Sequence, residues 1–369
     1  MKILHVTKKY PPAVGGDAVV VSQLQKHQQN KGHLSVIVTS NCEAMDESQQ
    51  VYTFGLKDTP ENLDAITLRR LFSLVALCFK MFGILQKERP DVIHTHSIDM
   101  AFFVSFAARF YRIPLVHTFH IVTFYDKQQA WVRRISELWL ARRAHLYRVT
   151  APNMFDVEQL RHAGLTQTVL LPNGVDIDFW ENNVQTEGSG TFQFISIGRL
   201  EEQKGYEYLI KAVSLLMDTS PPPFHVTVVG DGSLRKSLEE MAKRLQVDEH
   251  ISFIGRKDAE EIRTILSGAD AAISPSLYET TPLTLLEAWA ASVPVIMTPV
   301  GIMRGSPAET SMCQIVPVRD ERALMLAMDH FLKDIAARRT LARKGYAEVQ
   351  QYAWPNITQV AETIYRGAK

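Results

Sequence analysis

The sequence predicts an α/β fold made of two doubly wound, Rossmann-like lobes. The chain has 369 residues, of which 46% are hydrophobic. This length suits two domains better than one, because domains usually hold roughly 100–200 residues. Short apolar runs alternate with amphipathic stretches, and this alternation restarts near the middle of the chain. Strands that alternate with helices form parallel sheets, so each half predicts one doubly wound sheet.

The first lobe is predicted to span residues 1–170, completed by a C-terminal helix at 355–369 that returns to it. A clear helical pattern runs over 19–32. The apolar stretch 71–85 is interrupted by Lys80 and is shorter than the roughly 20 residues that cross a bilayer, so it predicts a buried helix. The five predicted strands are 2–7, 34–39, 91–96, 114–119 and 146–150.

The second lobe is predicted to span residues 171–354. The segment 172–190 is rich in Asn, Gly and acidic residues and is the best candidate for a linker. Doubly wound sheets bind ligands at the carboxyl ends of their strands, so we expect the ligand site between the two lobes. The five predicted strands are 192–198, 225–230, 250–255, 271–276 and 294–299.

Charge and cysteine content narrow the class of protein. The net charge is zero, which argues against a nucleic-acid partner. Cys42, Cys78 and Cys313 have no metal-ligand spacing and predict reduced thiols in a cytoplasmic protein. The apolar run at the start of the chain is too short for the hydrophobic segment of a signal peptide. We expect no metal site, because neither histidine group, 94–96 or 117–120, carries the neighbouring carboxylates of a zinc or two-metal centre.

Two features of the first lobe are candidate ligand contacts. Gly15 and Gly16 follow the first strand and precede a helix, where paired glycines and a helix N-terminus can bind an anion. A plain turn is the alternative. His120 ends the run "HTFH" after the fourth strand, at an edge where ligands bind; a histidine satisfied within its own loop is the alternative.

The stretch "SIGRLEEQKG" places two cations after the first strand of the second lobe. Arg199 and Lys204 precede Gly205, which opens a helix. An arginine can bind two oxygens of a diphosphate at once, and a lysine adds a point charge. The alternative is a solvated charged loop, because Glu201 and Glu202 stand beside these cations.

The stretch "ETTPLTLLE" carries two carboxylates, Glu279 and Glu287. Pro282 suits the first turn of a helix, with Thr281 as the N-cap and Leu283 following. Glu279 then lies before the helix and Glu287 in its second turn. Helix N–H groups between them would face an anion, and both carboxylates could bind sugar hydroxyls. These features suit a nucleotide sugar. The alternative is a solvated Glu279 and a structural, hydrogen-bonded Glu287.

With these motifs the chain resembles the family 4 glycosyltransferases of the GT-B fold. The resemblance covers nearly the whole chain, and the combination of E-x7-E with an upstream G-R-x5-K is specific. It rests on "PPAVGG", "DVIHTH", "HTFH", "LLPNGVD", "SIGRLEEQKG", "VVGDGSLRKSLEE", "ISFIG" and "ETTPLTLLEAWAASVPVIMTPVG".

The resemblance implies retaining, metal-independent transfer of a hexose-type sugar from a nucleotide-diphosphate donor. UDP is favoured over GDP, and the acceptor is a glycan, a lipid-linked glycan or a small molecule. Arg199 and Lys204 would hold the diphosphate. Glu287 would bind the ribose and Glu279 the transferred sugar.

The remaining contacts follow from the same resemblance. His120 would contact the donor sugar near its 6-position, and Gly15 and Gly16 would approach the phosphate. The backbone around Arg256 and Lys257 would flank the base. The family often has Phe-Gly-Leu where this chain has Thr-Pro-Leu at 281–283, which places donor preference in question.

Other interpretations remain open. A nucleotide-sugar epimerase of the same build would need extra acid–base carboxylates in the first lobe, and none stands out. An inactive partner subunit would have lost the phosphate-binding residues. A dinucleotide oxidoreductase would need G-x-G-x-x-G, which "GDGSLR" (230–235) does not complete. The basic, apolar segment 131–148 also resembles a helix that lies on a membrane surface, or else packs on the sheet.

Overall fold

The computed structural model describes residues 1–11, 15–41, 51–53, 68–120, 138–181, 190–304 and 312–367. The chain divides into two compact units. One comprises Met1–Asn173 with Trp354–Lys369, and the other comprises Gly174–Ala353. Each unit holds one sheet of parallel strands connected through helices, which confirms the predicted α/β fold of two Rossmann-like lobes.

The first unit contains a seven-stranded parallel sheet. Its strands are β1 (Lys2–Lys9), β2 (Leu34–Asn41), β3 (Val51–Thr53), β4 (Val92–Thr95), β5 (Leu115–Thr118), β6 (Arg148–Ala151) and β7 (Thr168–Leu170). Its helices are α1 (Gly16–Asn30), α2 (Leu68–Glu88), α3 (Ile98–Tyr111), α4 (138–143) and α5 (Met154–His162). The strand order is β3-β2-β1-β4-β5-β6-β7. The chain adds β2 and β3 on one side of β1 and then crosses to the other side, where β4 pairs with β1.

The second unit contains a six-stranded parallel sheet. It begins with the short helix α6 (Ile177–Trp180). Its strands are β8 (Phe192–Ile197), β9 (Phe224–Val229), β10 (Ile251–Phe253), β11 (Ala271–Ser274), β12 (Val295–Met297) and β13 (Gln314–Ile315). Its other helices are α7 (Tyr206–Met217), α8 (Arg235–Arg244), α9 (Ala259–Ser267), α10 (Leu283–Ala290), α11 (Glu321–Lys333) and α12 (Ile335–Val349). The strand order is β10-β9-β8-β11-β12-β13.

The last helix, α13 (Trp354–Arg366), packs within the first unit. Its buried face presents Ile357, Ala361 and Tyr365, which join the core formed with β1 and α1. Spacings of three and four residues place such side chains on one side of a helix. The buried carboxylate of Glu362 lies 3.3 Å from Lys31 Nζ, just beyond the end of α1. Apolar burial and this ion pair together hold α13 on α1.

The structure adds elements that the sequence analysis did not predict. The strands β3, β7 and β13 have only three, three and two residues. Each is an edge strand of its sheet, and such a strand forms through pairing with its one neighbour more than through a continuous apolar run of its own. The expected linker 172–190 is also partly structured, because Trp180 of α6 is buried and Val175 pairs with Ala353.

Some of the sequence predictions fall at least partly outside the described residues. Of the segment 131–148, only 138–148 is described, and its helical part is α4. Cys42 also lies outside, whereas Cys78 and Cys313 are free thiols. Within the described ranges, every helix is too short or too polar to span a membrane.

Candidate active site

The second sheet has its switch in strand order between β8 and β11. The chain leaves β8 toward β9 and β10, then returns to the opposite side of β8 with β11. Loops that follow β8 and β11 therefore diverge from adjacent strand ends, and open α/β sheets bind ligands at such points. Arg199 and Lys204 lie on the first loop, and Glu279 lies on the second. Glu287 lies on α10, the helix that the second loop enters.

The two loops are in close contact. The Leu277 N–H donates to the Gln203 carbonyl over 2.8 Å. Gly205 adopts a φ of +66°, and a Cβ added there would lie 2.1 Å from the Pro275 carbonyl oxygen. Glycine is required at this position both for its positive φ and for the close approach. This contact fixes the turn Glu202–Lys204, and with it the start of the Lys204 side chain.

Lys204 forms an ion pair with Glu279, to which its Nζ also donates a hydrogen bond. Both side chains are largely shielded, with 15% and 14% of their surface exposed. The Ser276 hydroxyl donates a second hydrogen bond to the same Glu279 oxygen over 3.3 Å. The buried Tyr206 hydroxyl donates to the Gly198 carbonyl over 3.2 Å beneath this pair. The structure therefore joins two predicted site residues that are far apart in sequence.

Glu287 is half-buried in the second turn of α10. Burial raises the pKa of its carboxyl to about 7, although the positive charge of Lys204 acts in the opposite direction. The Lys204 charge therefore reaches both carboxylates. Glu287 is poised between its neutral and ionised forms at neutral pH, and a cation or a hydroxyl donor at its side would favour the ionised form.

The N-terminus of α10 differs from the prediction. Pro282, rather than Thr281, is the N-cap, and the helix begins at Leu283. The ψ of Pro282 is 113°, an extended value, so the proline lies just outside the helix instead of in its first turn. Pro282 makes no side-chain capping bond, and the first N–H groups of α10 start at Leu283. The end of the loop after β11 is buried at Thr281.

The other predicted residues of this unit do not join the Lys204 group. Arg199 is exposed, and within the described ranges it forms no ion pair. Arg256 is exposed in the loop after β10. Lys257 instead pairs with Glu261 over 2.9 Å at the start of α9. That loop is held to the end of β9 by the Gly230 N–H, which donates to the Gly255 carbonyl.

In the first unit, Gly15 and Gly16 lie at the N-terminus of α1, as their sequence position predicts. Gly15 is the N-cap, without a side-chain capping bond, and Gly16 is the first helical residue. His120 follows β5. Burial lowers the pKa of His120, and the negative charge of Asp17 raises it, so the Asp17 carboxylate acts on His120 from the first turn of α1. The structure thus brings these predicted residues into one neighbourhood.

A group of histidines that joins His94 and His96 to His5, a residue that the sequence analysis left out, adjoins His120. His5 and His94 are partners in the register of β1 and β4, and His96 follows β4. One ring nitrogen from each of these three histidines lies within 4.8 Å of the other two, the spacing of a possible metal site. However, both nitrogens of His94 are hydrogen-bonded, to Tyr365 over 2.7 Å and to Thr118 over 2.6 Å. Hydrogen bonds to Tyr365 and Thr118 therefore occupy both ring nitrogens of His94.

Comparison with known proteins agrees with this architecture. Residues 14–179 match the family described as Glycosyltransferase Family 4, and residues 178–348 match Glycosyl transferases group 1. The chain belongs to the family 4 glycosyltransferases. It is a glycosyltransferase of the GT-B fold.

Individual relatives of this glycosyltransferase cover most of its length. Glycogen synthase of Mycobacterium tuberculosis is 28% identical over 402 aligned residues, covering 100% of this chain and 95% of the relative. D-inositol 3-phosphate glycosyltransferase of Corynebacterium urealyticum is 25% identical and covers 75% of this chain and 71% of its own. The crystal structure of Anabaena HepE in complex with UDP and glucose is similar with a TM-score of 0.80 at 18% identity, covering 99% of this chain and 100% of that one.

Proposed function

We propose that this glycosyltransferase moves a hexose from a nucleoside diphosphate donor to a hydroxyl group, with retention at the anomeric carbon and without a metal ion. UDP is the proposed nucleotide. The observation that carries the proposal is the group formed by Lys204, Glu279 and Glu287 at the strand switch of the second unit. It combines a shielded cation with two carboxylates beside a helix N-terminus, which suits a ligand with both phosphate and hydroxyl groups.

Lys204 and Arg199 are proposed to bind the diphosphate. Without donor, the Lys204 charge is neutralised by Glu279. A bound diphosphate would compete for the lysine, while Glu279 would accept hydrogen bonds from hydroxyls of the transferred sugar. Arg199 is exposed and can turn toward the second phosphate. The N–H groups at Leu283 and Thr284 would add partial positive charge at the same ligand.

The remaining roles come from the family resemblance. Glu287 is proposed to accept the ribose hydroxyls, and the backbone at Arg256 and Lys257 to flank the base. His120 is proposed to bind a hydroxyl of the transferred sugar, and the N-terminus of α1 at Gly15 and Gly16 to approach phosphate. The Thr281-Pro282-Leu283 segment would line the part of the site that holds the transferred sugar.

In the proposed reaction the bond between the anomeric carbon and the diphosphate oxygen breaks, and the nucleoside diphosphate leaves with the electron pair. The acceptor oxygen forms the new bond to the anomeric carbon from the same face. Its proton passes to an oxygen of the departing phosphate. Fixed positive charge from Lys204 and Arg199 stabilises the negative charge that develops, and this is commonly the largest catalytic contribution.

The proposed acceptor is a hydroxyl of a glycan, of a lipid-linked glycan or of a small molecule. The range of this chain's relatives supports this breadth, since they include a glycogen synthase and a D-inositol 3-phosphate glycosyltransferase. The UDP and glucose in the HepE complex support the choice of donor. An epimerase that releases a changed monosaccharide is the competing activity.

The proposal is tested by incubating the protein with UDP-, GDP- and ADP-hexoses, with and without oligosaccharide acceptors, and following the products by NMR. We expect an α-linked product from an α-linked UDP-hexose, unchanged by EDTA. An inverted linkage would contradict retention, and loss of turnover with EDTA would contradict metal independence. A free, epimerised monosaccharide would favour the competing activity.

A further inference from the structure

A hydrogen-bonded chain of side chains crosses the interior of the first unit and ends at His120. Gln28 of α1 accepts from His5 Nε2 over 2.9 Å. His5 Nδ1 lies 3.1 Å from His96 Nε2, and His96 Nδ1 lies 2.9 Å from His120 Nε2. Gln28 and His5 are completely buried, and His96 is 8% exposed. We call this chain of four side chains the histidine wire.

Burial favours the neutral form of all three rings of the wire. Burial lowers the pKa of His5 to about 4, and burial also lowers the pKa of His96 and of His120. A neutral imidazole carries one N–H donor and one bare nitrogen acceptor. Each ring in the wire uses one nitrogen toward each neighbour, so the proton position on one ring determines the position on the next.

Gln28 determines which ring nitrogen of each histidine in the wire carries the proton. Its carbonyl oxygen accepts from the Ser35 hydroxyl over 3.1 Å as well as from His5. Its amide nitrogen is buried and makes no hydrogen bond within the described residues. A carbonyl acceptor requires His5 to carry its proton on Nε2. His5 Nδ1 must then accept from His96 Nε2–H, and His96 Nδ1 must accept from His120 Nε2–H.

We infer that Gln28, acting through His5 and His96, is a positioning residue that holds His120 as the Nε2–H tautomer with Nδ1 as a hydrogen-bond acceptor. In this form His120 can accept the hydrogen bond of a sugar hydroxyl, a role that rests on the proposed function. The tautomer itself does not depend on that function. The neighbouring His117 provides a contrast, because its Nδ1 lies 3.1 Å from the Thr95 carbonyl and must carry the proton.

The test is long-range ¹H–¹⁵N NMR of the full chain labelled with ¹⁵N-histidine, which distinguishes the two neutral tautomers. The variants His5→Asn, His96→Asn, His117→Asn and His120→Asn assign the signals. We expect Nε2–H for His5, His96 and His120, and Nδ1–H for His117. A predominant Nδ1–H form of His120 in the unsubstituted protein would overturn the inference. This result needs only the His120→Asn variant for its assignment, whether or not the other variants fold.

Gln28→Met removes the acceptor that directs the wire. We expect a mixture of His120 tautomers and, in donor turnover, a fall in kcat on the order of 10-fold with little change in KM, because supporting contacts commonly contribute 10–100-fold. Thr150→Val is the matched control, since it removes a buried hydroxyl of the same unit outside the wire. An unchanged His120 tautomer in Gln28→Met would overturn the inference. A shifted His120 tautomer with unaltered turnover would count against the proposed role of His120 alone.

Discussion

At the scale of single residues, the carboxyl of Glu287 and the ion pair of Lys204 with Glu279 are the groups whose chemistry can be measured most directly. Residue types and spacing predicted these candidates because Glu279 and Lys204 follow strands, and such positions gather at one edge of a parallel sheet. The pairing of Lys204 with Glu279 could not be read from the sequence. The two residues lie 75 positions apart and meet through the contact between Gly205 and Pro275.

Glu287 should make the fold less stable as pH rises. Burial raises the pKa of its carboxyl to about 7 in the folded protein, from an ordinary value of 4.5. The folded state therefore retains a proton that the unfolded state loses, and stability falls between these two values as pH increases. Glu287→Gln is neutral at every pH. The Tm of the unsubstituted protein minus that of Glu287→Gln should fall between pH 5 and pH 8. A constant difference would contradict the burial argument.

The two carboxylates should differ in their effect on UDP binding. Glu287→Ala removes the proposed ribose contact and should weaken the affinity for UDP by roughly 10-fold or more, because a hydrogen bond to a charged group contributes about 1.5–3 kcal/mol. Glu279→Ala removes the proposed sugar contact and should spare UDP affinity while lowering donor turnover. Isothermal titration calorimetry with UDP compares them. A larger loss in Glu279→Ala than in Glu287→Ala would reverse the two roles.

At the scale of elements, the loops after β8 and β11 determine where the candidate site forms. The longer strands were predictable because buried parallel strands are continuous apolar runs. The start of α10 was not predictable to the residue, since Pro282 suits either the N-cap or the first turn and the surrounding loop decides. The histidine wire was also missed, because His5 and His96 come together only through the register of β1 with β4.

Replacing Gly205 should disturb the candidate site, because the backbone at this position leaves no room for a side chain. Gly205→Ala places a Cβ 2.1 Å from the Pro275 carbonyl oxygen at a positive φ, which costs about 1–3 kcal/mol from the backbone alone. The loops must separate, so we expect a lower Tm and weaker UDP binding. Gly268→Ala is the matched control, because φ is −92° and the nearest contact is an ordinary 3.7 Å. Equal effects of both variants would argue that the loop contact is unimportant.

At the scale of the whole molecule, two units with similar sheets supply different chemistry. The second unit carries the shielded cation and carboxylates, whereas the first carries the buried histidines. Sequence patterns placed the division at residues 170 and 171, and the structure divides between Asn173 and Gly174. The difference arises because the loop after β7 continues with the first unit for three further residues before Val175 pairs with Ala353.

The first unit is also proposed to contact membranes through the segment 131–148. In its described part, Trp139 is 48% exposed and Arg143 stacks on its ring at 4.6 Å, so an aromatic and a cation share one surface. Cosedimentation with liposomes should show binding to anionic vesicles that exceeds binding to neutral ones, and Arg143→Glu should reduce it. Arg263→Glu, in the second unit, is the charge-matched control. Equal, negligible sedimentation with both vesicle types would reject the contact.

The central claim is that Lys204 provides the positive charge on which sugar transfer depends, and the turnover of a UDP-hexose by Lys204→Ala tests it most directly. We expect kcat to fall by roughly 100-fold or more, because the lost charge matters most as the diphosphate departs. Lys236→Ala removes an exposed lysine of the same unit and should leave turnover unchanged. Near-normal kcat in Lys204→Ala, with the Tm of a folded protein, would contradict the proposed phosphate site.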